Sequence, residues 1–321
     1  LGNSCKGPSQ RQPGLGLDPF GSGPCIDADI CKKRLQRLSL PGAIERGPGS
    51  LGDPRESSGD ALPARVEGGA GQTLDLLELA RLAGASADDF VIEVGTGLGV
   101  LTRALAARAR RVRTVEVDAG LVRALEAESL LPENVELVHA DARTLDWEAW
   151  IREAEGPVRV IANLPYSVAT PLLRRLLDLR DVLEDWSVMI QSEVAERLVA
   201  STGERAYGSL TVLHRLSADV DRIARVSPAR FFPRPKVDSS FVRVWPRANS
   251  PLQPGELERV ERLARAAFNQ RRKRITNGLA RIAERTWPAL DRAGQREALE
   301  ALLIGVGVDP GTRPERVEPE A

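Results

Sequence analysis

The sequence predicts an α/β fold: a doubly wound, mostly parallel sheet followed by a small C-terminal helical domain. Three observations carry that reading. Short apolar runs alternate with stretches of helical period from Leu74 onward. The first of those runs, FVIEV, breaks directly into the glycine-rich GTGLG. Beyond Pro251 only the helical period remains.

The elements follow in order. LDLLELARLAG, from Leu74, spaces its apolar residues as a helix and stops at Gly84. FVIEV (90–94) is a strand, the glycines turn the chain, and LTRALAARA is a helix. VRTVEV (112–117) is a strand, AGLVRALEAES a helix, and VELVHA (135–140) the third strand. VRVIAN (158–163) is the fourth strand, ATPLLRRLLDL a helix, WSVMIQ (186–191) the fifth strand, and EVAERLVA a helix. VDRIARV and SSFVRVW then read as strands flanking a proline-rich loop. With no helix between them they predict an antiparallel pair at one edge. Function is expected at the carboxyl ends of the parallel strands.

Composition bounds the rest. Residues 1–71 hold 14 of the 28 glycines and 8 of the 22 prolines, with no sustained period apart from a short patch near Ile26–Leu40. Such a segment buries too little apolar surface to offset its ordering entropy. It is expected to be atypical, disordered or mistranslated, and outside the fold. A first, α/β unit is expected over 72–247, and a C-terminal helical domain, cut short, over 248–321. No apolar run reaches eighteen residues and no signal peptide is visible, so no membrane association is expected. Three cysteines (Cys5, Cys25, Cys31) at one end form no disulfide framework, which points to a reducing, cytoplasmic location. Without a CxxC pair, and with only His139 and His214 as histidines, no metal site is expected. A monomer is expected. Net charge is zero, yet between Arg222 and Arg274 fourteen Lys and Arg face four Asp and Glu. That segment is either a polyanion-binding face or a solvated helix surface.

Gly95, Gly97 and Gly99 lie between a strand and a helix, where glycine permits a tight turn and close approach of a ligand. Glu116, about twenty residues on at the end of the second strand, is placed to accept from ribose hydroxyls. This suits an NAD enzyme or an S-adenosylmethionine (SAM) enzyme. Two details favour SAM: the spacing is GxGxG, not GxGxxG, and an acid, Glu93, lies inside the first strand. Glu93 either is a buried carboxylate bonded to the loop amides, or orders the turn and sits near the methionine ammonium. Asp141, followed by Ala142 in HADA, either accepts from the adenine amine of the cofactor or caps a helix.

The most specific signal is Asn163-Leu164-Pro165-Tyr166, directly after the fourth strand. An adenine N6 amine is a poor nucleophile because its lone pair is delocalised into the ring. Two acceptors aimed at its N–H bonds, the Asn163 side-chain oxygen and the Leu164 carbonyl, favour a pyramidal nitrogen with a free lone pair. Pro165 stiffens the loop, and Tyr166 offers a ring on which a base can stack. A plain β-turn is the other reading.

In this order and spacing, VIEVGTGLGVLT, VEVD, HADA and NLPYSVATPLL resemble the small-subunit ribosomal RNA adenine dimethyltransferases, the KsgA/RsmA family. SPARFFPRPKVDSSFVRV (227–244) and AFNQRRKRITNGL (267–279) extend the resemblance from Leu74 to the end. It implies a class I SAM-dependent methyltransferase fold, Rossmann-like with a seven-stranded sheet, and SAM as cofactor. It implies N6,N6-dimethylation of two adjacent adenosines in a hairpin loop near the 3′ end of 16S rRNA, on a small ribosomal subunit precursor. Carried over by position, Gly95, Glu116, Asp141 and Asn163 contact the cofactor, Asn163 to Tyr166 hold the target amine, and Phe231 covers the open face of the adenine. RNA backbone is expected at Arg234, Lys236, Arg271, Arg272, Lys273 and Arg274. The chain departs from the family at Thr96, where proline is usual, and near Gly71-Gln72, which only faintly matches a K-x-L-G-Q-N-F-L segment. The alternatives are a 23S rRNA adenine methyltransferase of the antibiotic-resistance type and a non-catalytic nucleic-acid-binding paralogue.

Overall fold

The computed structural model describes residues 76–230, 235–252 and 255–320. The expectations for residues 1–71, Phe231 and Arg234 fall outside those residues. Helix α1 (Leu76–Leu82) leads into β1 (Phe90–Val94), α2 (Val100–Ala106), β2 (Arg111–Glu116), α3 (Ala119–Ala127) and β3 (Val135–His139). There follow α4 (Trp147–Arg152), β4 (Val158–Asn163), α5 (Tyr166–Asp178), β5 (Asp185–Gln191), α6 (Ser192–Val199) and α7 (Ser209–Ser217). Strands β6 (Ala218–Val226) and β7 (Ser239–Pro246) close the sheet. Helices α8 (Leu257–Asn269), α9 (Ile275–Thr286) and α10 (Arg292–Gly305) come last.

The seven strands lie in the order β3-β2-β1-β4-β5-β7-β6. Strands β1 to β5 pair in parallel, whereas β7 runs antiparallel to both β5 and β6. The chain reverses its winding between β1 and β4, and the crevice at such a switch point is where open α/β sheets bind ligands. Here it is bordered by the two motifs singled out above, the glycine turn after β1 and Asn163 at the end of β4.

Burial on both faces explains the continuous apolar strands. All five residues of β1 are buried. Side chains alternate between faces. Phe90, Ile92 and Val94 join Val160, Trp186 and the α5 leucines Leu172, Leu173, Leu176 and Leu177 in one core. Val91, Ile161, Met189 and Phe241 join Leu79, Leu101 and Leu105 in the other. Fully burying one such leucine contributes roughly 1.5–3 kcal/mol, which is why the pattern dominates the fold.

Two helices are additional to the elements expected from the sequence. The six-residue α4 is too short to show a period, but Asp146 caps it by accepting from the Ala149 amide at 2.9 Å. Helix α7 carries Thr211 and Val212, β-branched residues that weaken a helical reading. Tertiary contacts decide it: the Thr211 hydroxyl donates to the Arg197 carbonyl at 2.5 Å. The helix after β4 also starts earlier than ATPLLRRLLDL suggests, with Pro165 as its N-cap and Tyr166 as its first residue.

The last three helices surround a third, separate cluster that includes Ile275, Leu279, Leu299 and Leu303. Gly278 lets α9 lie directly on α8, since a Cβ there would come within 2.6 Å of the Ala266 and Ala267 carbonyl oxygens. The segment after α10 then returns to the sheet-bearing part of the chain. Gly203 donates its amide to the Glu315 carbonyl at 2.7 Å, and the Tyr207 hydroxyl donates to the Val317 carbonyl at 2.8 Å.

Candidate active site

The turn after β1 uses three left-handed glycines: φ is 83° at Gly95, 56° at Gly97 and 70° at Gly99. No atom lies within 4 Å of where a Cβ on Gly97 would sit, so that side of the turn is open to a ligand. Glu116 holds the turn from the neighbouring strand. Its Oε2 accepts the Gly97 N–H at 2.9 Å, and its Oε1 accepts those of Val117 and Asp118, each at 2.9 Å. A carboxylate has about four acceptor positions. Three are taken, and the one left on Oε2 is what a ribose hydroxyl requires. Glu116 therefore fits the expected cofactor contact while also bracing the turn.

Glu93 is buried, as one sequence reading has it, but its partners are hydroxyls and not loop amides. It is fully buried, on the α2 side of the sheet, and its Oε2 accepts the hydroxyls of Thr102 at 2.6 Å and Thr114 at 2.8 Å. Among the described residues it bonds no loop amide, and it supports the turn from below through Thr114. Burial pushes its carboxyl up to about 8, the two hydroxyls oppose that shift, and the neighbouring Glu116 adds to it.

Asp141 is not a helix cap either, because Asp146 caps α4. Its Oδ1 accepts the Arg143 amide at 2.9 Å, and its two oxygens are held by the Arg143 guanidinium, the closest contact being 2.6 Å. Arg143 holds the carboxyl below its usual range. An adenine amine thus reaches Asp141 by sharing it with Arg143 or displacing that half-exposed guanidinium. The Ala142 carbonyl accepts from Trp147 Nε1 at 3.1 Å, which leaves the Ala142 amide for any cofactor contact.

The Asn163-Leu164-Pro165-Tyr166 segment abuts the glycine turn. A Cβ on Gly95 would lie 3.6 Å from the Asn163 carbonyl oxygen and 3.9 Å from Pro165 Cδ. Asn163 pairs in register with Met189 of β5, and the Leu164 amide donates to the Met189 carbonyl at 3.1 Å, so the backbone here is fixed by the sheet. Among the described residues the Asn163 side chain has no hydrogen-bond partner and is half-buried. Tyr166 remains 38% exposed, enough to present a ring face. Its hydroxyl lies 3.1 Å from the Ser239 Oγ, which ties the segment to the end of the PRPKVDS loop.

The basic residues divide. Lys236, Arg272, Lys273 and Arg274 are exposed. Arg271 is committed elsewhere: it donates to the Glu315 carboxylate at 2.8 Å and to the Glu204 and Arg205 carbonyls. It clasps the helical domain to the loop after α6, and the sequence reading of a phosphate ligand is corrected there. Beside it, Glu193, Arg197, Arg205, Tyr207 and Phe268 line a cleft of about 590 Å³. The cleft opens one helical turn beyond β5, the neighbour of Asn163. Arg205 is exposed and makes no ion pair among the described residues. The sequence reading missed it because nothing local marks an isolated arginine.

Among the described residues no helix is long and apolar enough to cross a membrane, and no group of three His, Cys, Asp or Glu is placed to hold a metal. Among solved structures, a dimethyladenosine transferase from Plasmodium falciparum is similar at a TM-score of 0.64 and 23% identity, covering 76% of this chain and 91% of that one. The 23S rRNA methyltransferase ErmE is similar at a TM-score of 0.55 and 30% identity, covering 76% and 92%. The fold is that of the class I methyltransferases. A ribosomal RNA small subunit methyltransferase A from Idiomarina loihiensis is 38% identical over 225 residues, 70% of this chain and 72% of the relative. The family described as ribosomal RNA adenine dimethylase matches residues 72–292. With the glycine turn, Glu116 and Asn163 gathered at one switch point, the chain belongs to the ribosomal RNA adenine dimethylases.

Proposed function

We propose that this chain binds SAM and dimethylates the N6 amines of two adjacent adenosines in a hairpin loop near the 3′ end of 16S rRNA, acting as a cytoplasmic monomer on a small-subunit precursor. The observation that carries it is the unpartnered Asn163 side chain, fixed by β5 and adjoining the open glycine turn. Glu116 and the turn hold the nucleoside part of the cofactor, with Asp141 and Ala142 at its adenine. Bound there, SAM supplies an electrophilic methyl group on a sulfonium. The chain's own residues orient the nucleophile. Asn163 Oδ1 and the Leu164 carbonyl accept the amine's N–H bonds, which frees the nitrogen lone pair. Tyr166 stacks on one face of the base and Phe231 covers the other. An amine already carrying one methyl still has an N–H for one acceptor, so a second round is permitted.

An adenine inside an RNA duplex is shielded in the deep major groove, so the substrate is an unstacked loop. Lys236, Arg234, Arg272, Lys273 and Arg274 hold RNA phosphates, and Arg205 extends that set along the cleft. The test is incubation with SAM and undermethylated small subunits, followed by nucleoside mass spectrometry. N6,N6-dimethyladenosine in the small-subunit rRNA is expected. Product only in 23S rRNA moves the assignment to the resistance-type activity, and no product on any RNA overturns a catalytic role.

A further inference from the structure

The glycine turn has little rigidity of its own. Three of its five residues are glycines at positive φ, and glycine loses more backbone freedom on ordering than any other residue. Something must hold it, and the Gly97–Glu116 bond holds one point. Thr96, buried at 4% exposure, supplies a second. Its Oγ1 lies 2.7 Å from the Thr114 Oγ1, and Thr114 in turn lies 2.8 Å from Glu93 Oε2. Thr102, at the same Oε2, brings in helix α2 at 2.6 Å.

The Thr96 and Thr114 hydroxyls and the Glu93 carboxyl form a hydrogen-bonded chain from the turn to β1, and Thr114 is the register partner of Glu93 across β1 and β2. Thr114 and Glu116 stand two residues apart on one face of β2, so adjacent turn residues, Thr96 and Gly97, are tethered by adjacent side chains of that face. Burial keeps Glu93 largely as the neutral acid at neutral pH, so the anchor adds no second full charge beside Glu116.

We infer that the Thr96 hydroxyl, acting through Thr114 and Glu93, is the latch that positions the glycine turn for the cofactor. Thr96 is a positioning residue; it touches no ligand itself. The hydroxyl network limits a turn whose glycines supply no restraint of their own. The inference rests on the SAM-binding reading above.

The experiment measures SAM affinity by calorimetry, steady-state constants for SAM and for undermethylated small subunits, and the melting temperature, for the wild type, Thr96→Val and Thr96→Ser. Valine keeps the shape and removes the hydroxyl; serine keeps the hydroxyl. The expected result for Thr96→Val is a five- to tenfold rise in Kd and KM for SAM, with kcat at saturating SAM and KM for RNA within about twofold of wild type. Thr96→Ser should restore most of the affinity. A Thr114→Val variant should weaken SAM by a similar factor, and the double variant by no more than either alone, because both cut one chain. Unchanged SAM affinity in Thr96→Val, or failure of serine to rescue it, overturns the latch. A wild type that binds no SAM overturns the functional reading instead.

Discussion

The Glu116 carboxylate accepts the Gly97 amide at 2.9 Å, so a side chain at the end of β2 closes the turn that follows β1. One residue thereby braces the glycine turn with three of its acceptor positions. Glu116→Ala removes the acceptor of three backbone N–H groups, part-buried and costly to leave unpaired. SAM affinity is expected to fall by at least about thirtyfold, roughly 2 kcal/mol, with a lowered melting temperature. Titration calorimetry showing wild-type affinity refutes the assignment.

Asn163→Ala should act on turnover. Among the described residues its side chain has no hydrogen-bond partner, so its removal strands no buried group there. An acceptor used by the reacting amine is worth roughly 2.7–4 kcal/mol at the transition state, or about a hundredfold or more in kcat. Binding of SAM should stay within about tenfold. Single-turnover methylation near the wild-type rate removes Asn163 from the chemistry.

Adjacent arginines should behave differently. Arg271→Ala breaks the clasp to Glu315 and the loop carbonyls, and should lower stability by roughly 2 kcal/mol, read as a shifted urea midpoint. Replacing Arg272 and Lys273 by Ala should leave the midpoint alone and flatten the slope of log RNA affinity against log salt by about 1.5. An unchanged slope means that these two merely solvate the helix.

His214 should make the fold acid-sensitive. It is fully buried, its Nδ1 donates to the Leu210 carbonyl at 2.9 Å, and its Nε2 has no partner among the described residues. Burial first, then the nearby Arg174 charge, pushes its pKa down to about 4, against an opposing contribution from the Leu210 bond. The unfolded chain takes up a proton near pH 6.5 and the folded chain only near 4, so stability is lost as pH falls through that window. The loss is about 3 kcal/mol at most. His214→Leu should show a correspondingly smaller fall between pH 7 and 4.5 in urea titrations; parallel curves for both proteins sink the idea.

The parallel strands were legible because a strand covered on both faces needs an unbroken apolar run, as in FVIEV and WSVMIQ. The β6–β7 pair was legible from the missing crossover. NLPY and the glycines stood out because each joins residues of special backbone freedom or rigidity directly after an apolar strand. Partnership between distant side chains was not. That Glu116 and not Glu93 would take the Gly97 amide depends on which face of each strand meets the turn, and that Arg143 would occupy Asp141 depends on a local loop fold. Arg271 and Arg272 are identical in sequence and differ only because the returning tail places Glu315 beside one of them. Sequence by itself determined the order of the strands and most of the helices, through local period, and singled out the motifs at the strand ends. Tertiary structure decided which acids are braces, which cations are spent and which acceptor is left free, because those properties follow from distances between segments that the chain brings together only on folding.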